Sequence, residues 1–118
     1  MNINFLTELS KWLKGNIDFT NHSNPILRKL LYVAKKTGQP LYFTSSYRTP
    51  EQNVACGGSP TSSHLLKLAF DIKCTSSVYR YILLKTLFEY DIYRIGVYKN
   101  FIHIDFDTNK PQMVVWYD

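Results

Sequence analysis

The sequence predicts an α+β domain: a small, mostly antiparallel sheet with helices packed on one side. Three observations carry that expectation. The 118 residues are 45% hydrophobic and 19% charged, enough chain and enough apolar content for one domain with a real core. Two helical patterns come first, then a strand, a loop, a strand and a third helix. The chain then closes on short β-rich segments joined by tight turns, which is not the alternation of a parallel βαβ array.

The first helix is expected over residues 4–14, with Phe5, Leu9, Trp12 and Leu13 on one face and Gly15 as the stop. A polar loop follows. Asn24 is placed to cap the second helix, Pro25 suits its first turn, and Gly38 closes it. Leu27, Leu30, Leu31 and Ala34 make its apolar stripe, with Arg28, Lys35 and Lys36 facing out. "PLYFTSSYR" reads as a strand. Residues 49–63 read as a loop holding Gly57-Gly58 and Pro60, opening with a helical turn at Pro50. "LAFDIK" is the next strand. "SSVYRYILLKTLFEY" is a helix capped by Thr75 or Ser76, with Val78, Tyr81, Ile82 and Phe88 expected to point inward. "YRIGVY" and "FIHIDF" form strands joined by the "KN" turn, and "QMVVWY" is a last strand.

No stretch approaches the roughly 20 apolar residues of a membrane span. The first residues lack a basic segment followed by an apolar run, so no secretory signal is expected, and work at a cell wall or periplasm would need delivery. The net charge of +5 comes from scattered Lys and Arg. It reads either as solvated helix faces or as attraction to a polyanion, nucleic acid or anionic wall. The nine tyrosines could stack on bases, but no helix-turn-helix, RNP or zinc-finger pattern accompanies them, and nucleic acid is not the expected partner. Cys56 and Cys74 form no metal-binding pair and are expected as free thiols.

The chemistry concentrates in "FIHIDFD". Alternation places Ile102, Ile104 and Phe106 on one face, the core side, and Phe101, His103, Asp105 and Asp107 on the other. That second face is polar for a strand inside a sheet. A His and an Asp two apart lie roughly 6 to 7 Å from each other along a strand, which suits one metal ligand and a neighbouring acid. With His64 and Asp71, His103 would complete two imidazoles and one carboxylate, the donor set of a catalytic zinc with an open position for water. Spacing alone also allows these to be unrelated residues.

"SSYRTPEQNVACGGSPTSSHLLKLAFDI", followed after one helix by "YRIGVYKNFIHIDFD", resembles the zinc D-Ala-D-Ala carboxypeptidase and endolysin family of metallopeptidases, the M15 peptidases, whose fold the Hedgehog signalling domain shares. The resemblance spans residues 45–107, and short phage-encoded members are similar in length and layout. It implies Zn2+ held by His64, Asp71 and His103, and hydrolysis of an amide bond in a peptidoglycan peptide. Arg48 stands at the family arginine and would bind a substrate carboxylate or the developing oxyanion; the other reading is a salt bridge to Glu51. Many relatives carry a Glu three residues before the last histidine, where this chain has Asn100. Asp105 is then either the general base or the partner that holds His103 or Arg48. Asp107 reads as a strand-end acid in solvent. The family glycine after the first histidine is Lys67 here, implying a shifted backbone or a long side chain near the metal. Asn53 and Ser62 are expected to support the loop, Tyr47 to pack, and His22 has no assigned role. The departures at Asn100 and Lys67 keep open a second reading, a zinc-binding module without turnover that binds wall or peptide.

Overall fold

A computed structural model describes residues 2–118. Helix α1 (Ile3–Trp12) runs directly into strand β1 (Leu13–Gly15). Helix α2 (Asn24–Thr37) precedes β2 (Leu41–Ser45), and the short α3 (Pro50–Ala55) leads into the loop before β3 (Ala69–Lys73). Helix α4 (Ser77–Glu89) follows, then β4 (Arg94–Val97), β5 (Phe101–Asp105) and β6 (Val114–Tyr117). The six strands form one sheet in the order β1-β2-β3-β5-β4-β6. The three inner pairings are antiparallel, and only the outermost, β1 with β2 and β4 with β6, are parallel. The expected α+β architecture is therefore the one observed.

One sheet face makes the core. Phe43, Phe70, Ile72, Ile95, Ile102 and Ile104 pack there against Leu9 of α1, Leu27, Leu30, Leu31 and Ala34 of α2, and Leu83 and Leu87 of α4. Ile102 and Ile104 are fully buried, as the alternation in β5 requires. The helices thus cover the apolar face and leave the opposite face, with Asp71, His103 and Asp105, to the site.

Three local readings are corrected. Leu13 and Gly15 do not extend or stop α1 but form β1, with Leu13 beside Leu41. Gly15 has a left-handed φ of +86°, and a Cβ there would lie 2.5 Å from the Phe43 carbonyl oxygen. Ser23, not Asn24, caps α2; Gly38 closes it in the left-handed conformation as expected. In α4 the cap is Ser76, but the helix is rotated from the expected orientation. Leu83, Thr86 and Leu87 are buried, while Val78, Tyr81, Ile82 and Phe88 are exposed. α4 is apolar nearly all round, so periodicity alone could not say which side meets the sheet. Both cysteines are free, Cys74 buried and Cys56 exposed. Among the described residues, no helix is long and apolar enough to cross a membrane.

Candidate metal centre

The site is a row across the sheet. Ser45 pairs with Asp71, Asp71 with His103, His103 with Gly96, and Gly96 with Trp116, so five strands each contribute one residue to a single line. A register shift between Phe43 and Ser45 is what brings β2 into the row. Simple alternation would put Ser45 on the core face with Phe43; the irregularity turns it toward Asp71.

Asp71 is the centre. Its Oδ1 lies 2.9 Å from His103 Nδ1, and its Oδ2 lies 3.3 Å from His64 Nε2 and 3.5 Å from an Arg48 terminal nitrogen. Burial by itself would raise the Asp71 carboxyl, but the hydrogen bond from His103, the largest of the opposing effects, and the positive charge beside it outweigh burial and hold it at about 2. His64 arrives on a tight helical turn, Ser63–Leu66, in which Ser62 Oγ accepts the His64 amide. The His64 Nδ1–H donates to the Ser46 carbonyl at 2.6 Å. A carbonyl only accepts, so the proton of neutral His64 sits on Nδ1 and its Nε2 is a bare lone pair. That Nε2 is buried and has no aligned hydrogen-bond partner.

One donor atom from each of His64, Asp71 and His103 lies within 4.8 Å of the other two. Two imidazoles, one carboxylate and an orphaned, inward-aimed nitrogen are what a divalent metal requires of a binding site. These residues fit a metal ion.

The remaining side chains hold the triad. Arg48 donates through Nε to Ser45 Oγ at 3.1 Å and through a terminal nitrogen to Asn53 Oδ1 at 3.2 Å, besides facing Asp71. Its salt bridge is therefore to Asp71 and not to Glu51. Asn53 also donates to the Ser59 carbonyl and ties down the Gly57-Gly58 loop. Asp105 is buried with both oxygens engaged. Its Oδ1 accepts from Arg94 Nε at 2.6 Å and from the Asp107 amide, and its Oδ2 faces His103 Nε2 at 2.9 Å. Burial opposes its ionisation, but the His103 bond, the Asp107 amide and Arg94 hold it below its ordinary range. His103 thus has a carboxylate on each ring nitrogen. Burial would lower its pKa, but the bonds to Asp105 and Asp71 raise it.

Asp107 is not a solvent acid. It is buried, accepts from Ser63 Oγ at 2.9 Å, and lies 3.7 Å from Lys110 Nζ, which also reaches Ser63 Oγ. This bridge ties the start of the His64 turn to the end of β5. Lys67 adopts the left-handed conformation itself, at φ 64°, and its Nζ lies over the Tyr47 ring. A left-handed residue with a Cβ costs about 1–2 kcal/mol. Lys67→Gly should therefore raise stability by about 0.5–1 kcal/mol, after the extra freedom glycine gives the unfolded chain. Urea unfolding measures it, and a loss of stability would mean that the contact with Tyr47 outweighs the strain.

Arg94 and Trp116 were not singled out by sequence. Arg94 stands one step beyond the Ile95–Ile104 pair, which sets it across from Asp105. The Trp116 ring lies 5.5 Å from the His103 ring, centroid to centroid, with the Arg94 guanidinium over it and its Nε1–H donated to the Tyr98 hydroxyl. Gly96 makes room for it: a Cβ there would sit 2.5 Å from the indole nitrogen. Gly96→Ala should cost about 1–3 kcal/mol of stability by overpacking and displace the indole from His103. The check is Trp fluorescence alongside thermal unfolding; unchanged emission with full stability would show that Trp116 accommodates the methyl group.

The fold and the geometry define a small α+β protein with a His-Asp-His group that could hold a metal ion. The chain belongs to the peptidase M15 family, whose model matches residues 3–105, and this supports a peptidase role. A comparison with the curated proteins gives no match.

Proposed function

We propose that this protein is a zinc-dependent peptidase that hydrolyses amide bonds in peptidoglycan peptides, as a D-Ala-D-Ala carboxypeptidase or endopeptidase of the short phage-encoded type. The observation that carries the reading is the buried, unpartnered Nε2 of His64 facing Asp71 and His103 in a chain of the M15 family. His64, Asp71 and His103 would hold the ion. When bound, zinc supplies Lewis acidity and lowers the pKa of the water it holds.

Arg48 is held by Ser45 and Asn53 beside a cleft of about 280 Å3 that Asn16, Tyr47 and Gln52 also line. It is the group for a substrate carboxylate or for the negative charge that develops on the attacked carbonyl. Asp105 fixes the His103 ring through Nε2, with Arg94 fixing Asp105 in turn; such carboxylate–histidine pairs set the orientation and basicity of a ligand. To act as general base, Asp105 would have to release one of these partners. That engagement favours the second reading, a zinc-binding module that holds wall peptide with little or no turnover. The charge of +5 suits an anionic wall under either reading.

Elemental analysis of the tag-free protein, followed by incubation with purified sacculi, separates the readings. About one zinc per chain, as a three-ligand centre requires, together with newly released amino groups supports the peptidase. Zinc without hydrolysis supports the binding module, and no zinc even when it is offered back rejects both.

Uptake should also depend on pH. A bound ion would have to displace a proton from His103, whose pKa lies above the ordinary imidazole value of about 6.5. Apparent affinity should rise with pH through that range and reach a plateau above it. Calorimetry in buffers of different ionisation enthalpy should detect proton release below the plateau; a pH-independent affinity would mean that His103 is not a ligand.

A further inference from the structure

We propose that His22, which takes no part in the metal triad, is a positioning residue that holds the turn carrying His64. The inference rests on the metal-centre reading above. Between His64 and Asp71 the chain leaves a tight helical turn, reverses through left-handed Lys67 and enters β3. Nothing intrinsic to lysine favours that reversal. The Lys67 carbonyl, however, accepts the Nδ1–H of His22 at 3.0 Å, across 45 residues of chain.

His22 is buried, and its ring lies tilted against Phe70 with centroids 4.6 Å apart. Phe70 immediately precedes Asp71. One imidazole therefore touches both the exit of the His64 turn and the neighbour of the central carboxylate. The carbonyl partner fixes the proton on Nδ1, which leaves Nε2 a lone pair, buried and without a partner. A phenylalanine would pack against Phe70 without stranding a polar atom. The histidine is accounted for by the bond its other nitrogen makes to Lys67. With Asp107 and Lys110 gripping Ser63, the turn is held at both ends.

Four variants separate the bond from the packing. His22→Phe keeps an aromatic ring on Phe70 and removes the donor. His22→Asn keeps an N–H near the place of Nδ1 and removes most of the ring. Lys67→Gly removes the strain, alone and combined with His22→Phe. Zinc affinity is measured by competition with a chromogenic chelator, and folding by circular dichroism and thermal unfolding. His22→Phe should bind zinc about tenfold more weakly while remaining folded, the scale expected for a partner outside the ligand set. His22→Asn should stay close to wild type in affinity although its melting temperature falls. Adding Lys67→Gly to His22→Phe should recover part of the lost affinity, because glycine adopts the left-handed turn without strain. Wild-type affinity in folded His22→Phe, or equal losses in the Phe and Asn variants, would overturn the proposal.

Amide exchange in the zinc-free protein gives a readout that survives failure of the metal reading. The Lys67 and Leu68 amides donate to His64 and Ser63 within the turn. His22→Phe should speed their exchange relative to the amides of β3. Unchanged protection there would reject the clamp even if zinc binds.

Discussion

Asp71→Ala is expected to abolish stoichiometric metal binding and to destabilise the metal-free protein by about 3–5 kcal/mol, the scale for breaking a buried ion pair from one side. The size follows from its neighbours. His103, His64 and Arg48 all face this carboxylate within 3.5 Å. Without it, three basic groups remain together on a largely buried surface and lose the charge that balances them. Asp71→Asn keeps the volume and one acceptor oxygen and should recover part of the stability, but not the metal. Urea unfolding and zinc titration of both variants check this. If Asp71→Ala retained one tightly bound zinc, His64 and His103 would have to bind it through a different third ligand.

Arg94→Ala should be nearly as damaging, at about 3–5 kcal/mol, although Arg94 is not a ligand. It leaves Asp105 buried with its Oδ1 lacking its cationic partner, and removes a second bond from Arg94 to the Pro111 carbonyl. The Asp105 pKa should rise toward its ordinary value, since the guanidinium adds to the His103 bond and the Asp107 amide in holding it down. An Asp105 no longer fixed by Arg94 is a looser partner for His103, so zinc affinity should fall as well. Arg94→Lys should restore the charge but not the geometry at Nε, and recover only part of either loss. NMR titration of the Asp105 carboxyl, with urea unfolding, checks the argument. A stable Arg94→Ala protein with unchanged zinc affinity would show that solvent replaces the guanidinium.

The two variants mark what could be read from residues alone. His64, Asp71 and His103 were legible through the family resemblance, since their donor chemistry suited a metal but their spacing left the choice open, and the fold does bring the three together. Asp105 was legible as a neighbour through the period of two, but not its engagement on both sides. Arg94 looked like any strand arginine, because its role depends on the register between β4 and β5, which the sequence does not print. Ser45 was hidden for a related reason: a local irregularity inverted the face that alternation assigns. Leu13 continued the helical pattern of α1 and so concealed β1, and α4 offered apolar residues on every side. Where the alternatives were local and unequal, as for the apolar stripe of α2, pattern decided the outcome. Where they were settled by long-range pairing, it could not.

The row from Ser45 to Trp116 also bears on how the protein comes apart. Its five members are spread over 72 positions of sequence and sit on five of the six strands, so no fragment of the sheet holds the whole row. A bound ion would contact only the middle of it, yet Asp71 and His103 lie in the two central strands of the sheet. Opening them means opening the domain. Loss of Asp71 and His103 as ligands should then follow the slow global rate, whereas His64 can leave with its turn. Saturating metal should slow that step and raise the unfolding temperature in proportion to the logarithm of its concentration.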